Sequence, residues 1–243
     1  TRLWRGAADS GEGGKAWEPP AAGDIEKRLE LVDWSSLVLD RSRRSAFLPR
    51  RGQEIDLGGI AKGFAAERAL ALYRRFGIRH AFINLGGNVL TMGGRPDGSP
   101  WRVGIRRPPV TTSVGNGVAG AAGADCAGSD LAGYVEVYDA AVVSSGGYER
   151  YFRCRGRTYH HIIDPATGMP AETDAAGVTV VAPSALEADA LATAVFIMGS
   201  SAGLALLEEL PRVEGLIIDT NGEYHPTGGM REFFVPLSPL RQC

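Results

Sequence analysis

The sequence has neither a long apolar run nor an excess of basic residues. A helix that spans a bilayer needs about 20 consecutive apolar residues, and nucleic-acid binding usually calls for a basic patch. The formal net charge of −2 also leaves no polybasic segment for anionic lipids. We therefore expect no nucleic-acid partner and no signal or anchor within this chain. Because residue 1 is a threonine, any signal peptide or lipidated start is expected to lie outside it.

Cysteine is scarce as well. The three cysteines are Cys126, Cys154 and Cys243. Their scattered positions match neither a disulfide framework nor the paired ligands of a zinc site, so we interpret all three as structural or incidental. With 44% hydrophobic and 22% charged residues, the composition is typical of globular proteins and suffices for one large domain or two small ones.

Helical and strand patterns are mixed without strict βαβ alternation, which favours an α+β fold. Within the segment Glu54 to Gly77, apolar residues recur every three or four positions from Ala61 onward, which predicts an amphipathic helix ending at Gly77. Its predicted buried stripe consists of Ala61, Ala65, Ala69, Leu72 and Phe76. Ser184 and Glu187 match a capping box, which predicts a second helix ending near Gly199. Residues 108–133 are rich in Gly and Ala and predict a long loop or insertion.

Two polar side chains on the second predicted helix could bind a cation. Asp189 and Thr193 are four residues apart, so they lie on one face, one turn from each other. Carboxylate and hydroxyl oxygens are ligands suited to a hard cation such as Mg²⁺. The alternative is a solvated helix face, since polar pairs with this spacing are common.

A glycine-rich segment precedes the first predicted helix. Asp56 to Gly63 reads DLGGIAKG, and amides at a helix start, aided by the helix dipole, favour an anion. Lys62 adds a positive charge. The segment lacks the G-x-x-x-x-G-K-[ST] pattern of a Walker loop, and its alternative interpretation is a helix start with tight glycine packing.

Two further motifs carry groups suited to catalysis or ligand binding. Tyr159 to Pro170 reads YHHIIDPATGMP, in which a histidine could act as general base towards a hydroxyl. Ser144 to Phe152 reads SSGGYERYF, where small residues leave room for a ligand against the backbone. The alternatives are an exposed strand end for the first motif and a plain β-turn for the second.

The motifs DLGGIAKG, INLGGN, SSGGY, HHIIDPATGMP and ADALATA follow in an order that resembles the ApbE family, the FAD:protein FMN transferases. The resemblance extends from about Leu3 to about Val235. It implies an α+β, ApbE-like (T-fold-like) arrangement of mixed sheets and packed helices. It also implies that residues 1–243 form a flavin transferase domain without the N-terminal part that family members usually carry.

The resemblance further implies the site and its ligands. Family members bind FAD and Mg²⁺, and they transfer FMN from FAD to a Thr or Ser hydroxyl of a flavoprotein, releasing AMP. Asp189 and Thr193 resemble side-chain metal ligands, and Gly59 resembles a ligand through its backbone carbonyl. The residues that resemble FAD contacts are Asp56, Lys62 and Ile163. His161 resembles the proposed base for the target hydroxyl.

Three functions stay open on this basis. The first is FMN transfer to a target flavoprotein subunit of a membrane redox complex. The second is a Mg²⁺-dependent FAD pyrophosphatase, in which water replaces the hydroxyl and FMN and AMP are released. The third is a non-catalytic flavin-binding module. By family resemblance, the expected location is the cell envelope, in the periplasm or on the outer face of the cytoplasmic membrane, as a membrane-associated lipoprotein.

Overall fold

A computed structural model of the chain describes residues 3–4, 18–109 and 131–237. Its mixture of helices and antiparallel sheets confirms the predicted α+β class. The chain divides into a first unit, residues 1–57 with 150–171, and a second unit, residues 58–149 with 172–243. Across the described ranges, no helix is both long enough and apolar enough to cross a bilayer.

The elements of the first unit and the start of the second are α1 (Ala22–Leu29), a 3₁₀ turn (Trp34–Ser36), β1 (Val38–Asp40), β2 (Ser45–Phe47), α2 (Ala61–Arg75), β3 (Ala81–Leu85), β4 (Asn88–Met92) and β5 (Trp101–Arg106). They are followed by β6 (Leu131–Val137), β7 (Ala141–Gly146), β8 (Tyr151–Cys154), β9 (Arg157–His160) and β10 (Ala175–Ala182). The C-terminal elements are α3 (Ala185–Met198), α4 (Ser200–Glu209), β11 (Glu214–Asp219), β12 (Tyr224–Pro226), α5 (Met230–Phe233) and β13 (Phe234–Pro236).

The second unit is built on a six-stranded antiparallel sheet with the strand order β12-β11-β10-β7-β4-β3. Val89, Val142 and Val181 of this sheet share one core cluster with Val103 and Val135 of a three-stranded sheet, β13-β6-β5. Helix α3 packs on β10 and β7, and α2 packs against α3 and against β3 and β4. This stacking brings the N-terminal turns of α2 close to the first half of α3.

The predicted buried stripe of α2 is wrong. The buried residues are Gly63, Ala66 and Leu70, whereas Leu72 is 46% and Phe76 is 76% exposed. The reason is the close approach of α3: a Cβ placed on Gly63 would lie 2.2 Å from the Ala185 carbonyl oxygen. The contact with α3 therefore turns the Gly63–Ala66–Leu70 face inward and leaves Leu72 and Phe76 exposed.

The start of α3 corrects a second expectation. Ser184 Oγ accepts a hydrogen bond from the Glu187 amide at 3.2 Å, as a capping box requires. The acidic side chain that completes this cap is Glu67 of α2 rather than Glu187. Its Oε1 accepts hydrogen bonds from Ser184 Oγ at 2.7 Å and from the Leu186 amide at 3.1 Å. Capping of α3 is therefore shared between two helices rather than confined to one.

The loop predicted at residues 108–133 is shorter at its C-terminal end, because residues 131–133 already belong to β6. Residues 110–130 lie outside the described part of the chain. In the first unit, β8 and β9 form a hairpin whose turn contains Gly156. Arg155 has φ +49° and Gly156 has φ +80°, as expected for a two-residue turn with positive φ at both central positions.

Candidate active site

The buried carboxylate of Asp189 is the central feature of the second unit. Asp189 lies in α3 and is 3% exposed, and its Oδ2 accepts a hydrogen bond from the Gly63 amide at 2.8 Å. Among the described residues, Oδ1 accepts no hydrogen bond. A buried carboxylate is costly unless a partner or a metal compensates its charge, so this half-satisfied group suits a cation.

Thr193 lies one turn after Asp189 on α3, and Gly59 approaches Thr193. Thr193 Oγ1 donates to the Asp189 carbonyl at 3.4 Å and is 3.5 Å from Ser145 Oγ on β7. A Cβ built on Gly59 would lie 3.9 Å from Thr193 Oγ1, so the Gly59 backbone passes close to that hydroxyl. The structure thus places Gly59 near Thr193 and places Thr193 one turn from Asp189. Carboxylate, hydroxyl and carbonyl oxygens are the types of ligand that Mg²⁺ prefers.

Lys62 lies one residue before the amide that binds Asp189. It occupies the first turn of α2, where free amides and the helix dipole favour an anion. Its Nζ donates to Asn88 Oδ1 at 2.6 Å. Lys62 therefore directly precedes the residue whose amide holds the candidate metal ligand Asp189, an arrangement that suits a ligand carrying both a metal ion and phosphate groups.

The remaining predicted site residues belong to the first unit. Asp56 is exposed in the irregular segment before residue 58. Ile163 is half-buried and forms an isolated bridge with Pro170. In this motif Ile162 is the buried apolar residue, at 5% exposure.

The two adjacent histidines of the first unit differ in their surroundings. His161 is exposed, and its Nδ1 lies 3.2 Å from the Arg150 carbonyl oxygen. Because a carbonyl can only accept, Nδ1 carries the proton and the lone pair of the neutral ring is on Nε2. His160 is half-buried, with Nε2 3.0 Å from the Ala171 carbonyl oxygen, and burial lowers its pKa. The two histidines therefore differ in exposure and in the ring nitrogen that contacts a backbone carbonyl.

Sequence reasoning missed the residues that support these groups. Gly63 lies inside the DLGGIAKG motif, and the one available signal was a glycine within a helix. Ser145 lies in the SSGGY motif, but its proximity to Thr193 depends on the packing of β7 under α3. Asn88 follows the glycine pair of INLGGN and showed no pattern that points to Lys62.

Sequence reasoning also missed a further group of side chains of the types that bind metal ions. Asp219, Glu223 and His225 lie at the β11–β12 turn, with ligand atoms within 4.8 Å of one another. Asp219 already accepts from the Asn221 and Glu223 amides and from His225. Burial acts to raise the pKa of Asp219, but these hydrogen bonds hold it below its usual value. The arrangement closes a hairpin turn.

The sequence of this chain is similar to a known protein family. The family model described as "ApbE family" matches residues 1–217. A protein of Klebsiella pneumoniae named FAD:protein FMN transferase is 34% identical over 218 residues, which cover 90% of this chain and 62% of that protein. A protein of Treponema pallidum with the same name is 38% identical over 191 residues, covering 75% of this chain and 48% of its own length.

Solved structures agree with the fold. The ApbE protein of Thermotoga maritima superposes with a TM-score of 0.75 at 31% identity, covering 89% of this chain and 64% of that one. The apo form of the flavinyl transferase ApbE of Pseudomonas stutzeri gives a TM-score of 0.70 at 29% identity, covering 89% and 62% respectively. The chain thus spans about three-fifths of the length of these relatives, and about half of the Treponema protein.

Proposed function

Since the chain belongs to the ApbE family, we propose that it transfers FMN from FAD to a Thr or Ser hydroxyl of a target flavoprotein. The observation that carries this proposal is the buried Asp189 carboxylate, whose Oδ2 accepts a hydrogen bond from the Gly63 amide. Thr193, which Gly59 approaches, lies one turn further on the same helix. Relatives at 34% and 38% identity are named FAD:protein FMN transferase. The activity for which these relatives are named is consistent with the oxygen ligands of this site.

Asp189, Thr193 and the Gly59 carbonyl would hold Mg²⁺. When bound, the ion would supply charge neutralisation to the pyrophosphate oxygens, which is the main requirement of phosphoryl transfer. The Gly63 amide fixes one oxygen of Asp189 and so orients the carboxylate for its ligand. Lys62, Asp56 and Ile163 are the proposed contacts to FAD.

His161 is the proposed general base. Its Nδ1 donates to the Arg150 carbonyl, so Nε2 can accept the proton of the target hydroxyl. The hydroxyl oxygen forms a bond to the phosphorus of the FMN half, and the bond between that phosphorus and the bridging oxygen breaks. AMP leaves with the electron pair of the broken bond, and the acceptor retains FMN as a phosphoester.

The acceptor and the location are proposals of the same kind. A flavoprotein subunit of a membrane redox complex would supply the hydroxyl, and the chain would act in the cell envelope as a membrane-associated lipoprotein. The family resemblance supports both proposals.

The test incubates the chain with FAD, Mg²⁺ and an acceptor protein that bears the target threonine. We expect the mass of FMN to appear on the acceptor, to disappear with EDTA, and to fall at least about 100-fold in Asp189→Ala. The matched control is Asp97→Ala, because Asp97 is exposed and only caps a turn at Ser99. His161→Gln should retain FAD binding while transfer is lost.

Other outcomes separate the alternatives. Release of FMN and AMP without an acceptor, together with an unmodified acceptor, would favour the pyrophosphatase. Binding of FAD that persists without any turnover, and equally in Asp189→Ala, would favour a non-catalytic flavin-binding module.

A further inference from the structure

The contact between Lys62 and Asn88 joins two elements that are distant in sequence. Lys62 Nζ in the first turn of α2 donates to Asn88 Oδ1 at 2.6 Å. Asn88 is the first residue of β4 and is 1% exposed. Because an ammonium group only donates, Oδ1 must be the atom that faces Lys62. The orientation of the Asn88 amide is therefore determined by chemistry.

Asparagine at this position lowers the stability of the fold. The Nδ2 atom of Asn88 is buried and has no hydrogen-bond partner among the described residues, and an unsatisfied buried donor is destabilising. Leucine has a similar shape and would carry no such donor. Stability alone therefore does not favour asparagine here, whereas the acceptor that asparagine offers to Lys62 has no equivalent in leucine.

We propose that Asn88 is a positioning residue that acts through Lys62. Its Oδ1 holds the ammonium at the N-terminal turn of α2 before a ligand arrives, which reduces the ordering cost of a long, flexible side chain on binding. Because Oδ1 carries no formal charge, the ammonium keeps its full charge for a phosphate oxygen. This inference rests on the proposed binding of FAD and assigns Lys62 and Asn88 to its pyrophosphate.

The first measurement tests, in the absence of FAD, how firmly the Lys62 side chain is held. The full chain is acetylated under limiting reagent, and the rate at Lys62 is followed by peptide mass spectrometry. We expect Asn88→Leu to raise this rate about tenfold, since the ammonium loses its acceptor. Asn88→Asp, which retains an acceptor at the same place, should restore the slow rate.

The second measurement tests whether Asn88 acts through Lys62 in function. We expect Asn88→Leu to raise the KM for FAD about tenfold with little change in kcat, as loss of ground-state binding does. Lys62→Met should raise the KM by at least as much. In a double-mutant cycle, Asn88→Leu should add nothing further to Lys62→Met.

The matched control is Thr91→Val. Thr91 is also on β4 and 1% exposed, but its Oγ1 bonds to Ala140 rather than to Lys62. This variant should change neither the labelling rate at Lys62 nor the KM for FAD. Thermal unfolding of each variant verifies that it is folded.

Unchanged labelling of Lys62 in folded Asn88→Leu would overturn the inference, and so would KM effects of Asn88→Leu and Lys62→Met that multiply in the double variant. If the wild-type chain binds no FAD, the proposed function fails. The labelling rates still decide, on their own, whether Asn88 positions Lys62.

Discussion

The backbone amide of Gly63 donates to Asp189 Oδ2 across 126 positions of sequence, at a distance of 2.8 Å. The two residues lie where α2 packs against α3, and the space for a Gly63 side chain is taken by the Ala185 carbonyl. Helix packing and orientation of the candidate metal ligand are thus coupled through one glycine.

Replacing Gly63 by alanine should therefore damage stability and activity together. The new Cβ would lie 2.2 Å from the Ala185 oxygen, so the helices must separate, at a cost of about 1–3 kcal/mol in the free energy of unfolding. Urea denaturation and the FMN-transfer assay measure the two effects. Gly23→Ala is the control, because its Cβ would meet no atom within 4 Å and alanine favours a helix. A Gly63→Ala protein with wild-type stability and transfer would contradict this coupling.

The hydroxyl of Thr193 should matter for the metal and not for folding. Thr193→Val keeps the shape but removes the oxygen, so we expect the Mg²⁺ concentration for half-maximal transfer to rise on the order of 10- to 100-fold. Thr193→Ser retains the oxygen and should stay close to wild type. Equal Mg²⁺ dependence in the Val and Ser variants would exclude the hydroxyl as a ligand.

Glu67 should contribute to stability through the start of α3. It accepts hydrogen bonds from Ser184 Oγ and the Leu186 amide, and Glu67→Ala would leave both donors unsatisfied, at a cost of about 1–3 kcal/mol. Glu67→Gln keeps an acceptor oxygen and should recover much of this loss. Chemical denaturation provides the measurement, with Glu26→Ala in α1 as an exposed control. The cross-helix cap is refuted if Glu67→Ala unfolds at the same denaturant concentration as Glu26→Ala.

His160 should make the stability of the fold depend on pH. Burial lowers its pKa in the folded protein below the reference value of 6.5, so the unfolded chain binds a proton first as the pH falls. The free energy of unfolding should therefore be highest above about pH 6.5 and decrease from there down to the lowered folded pKa. Urea titrations between pH 5 and 8 measure this slope. His160→Asn should flatten it, and an unchanged slope would assign the dependence to other groups.

Several features of this protein could be read from the sequence because they depend on local geometry. Asp189 and Thr193 share a face because the α-helix repeats every 3.6 residues, and Ser184 begins that helix because its hydroxyl can cap a nearby amide. The order of the motifs was enough to indicate the ApbE family, which the family model confirms.

The tertiary structure alone decided which groups meet across the fold. The face of α2 that is buried could not be chosen from periodicity, since the Ala61–Phe76 stripe and the Gly63–Ala66–Leu70 face have the same period and the proximity of Ala185 selects between them. The contacts of Gly63 with Asp189, Lys62 with Asn88 and Glu67 with Ser184 join residues 26 to 126 positions apart. Contacts of this kind leave no periodic signal in the sequence, because they form only when sheet and helix packing bring the elements together.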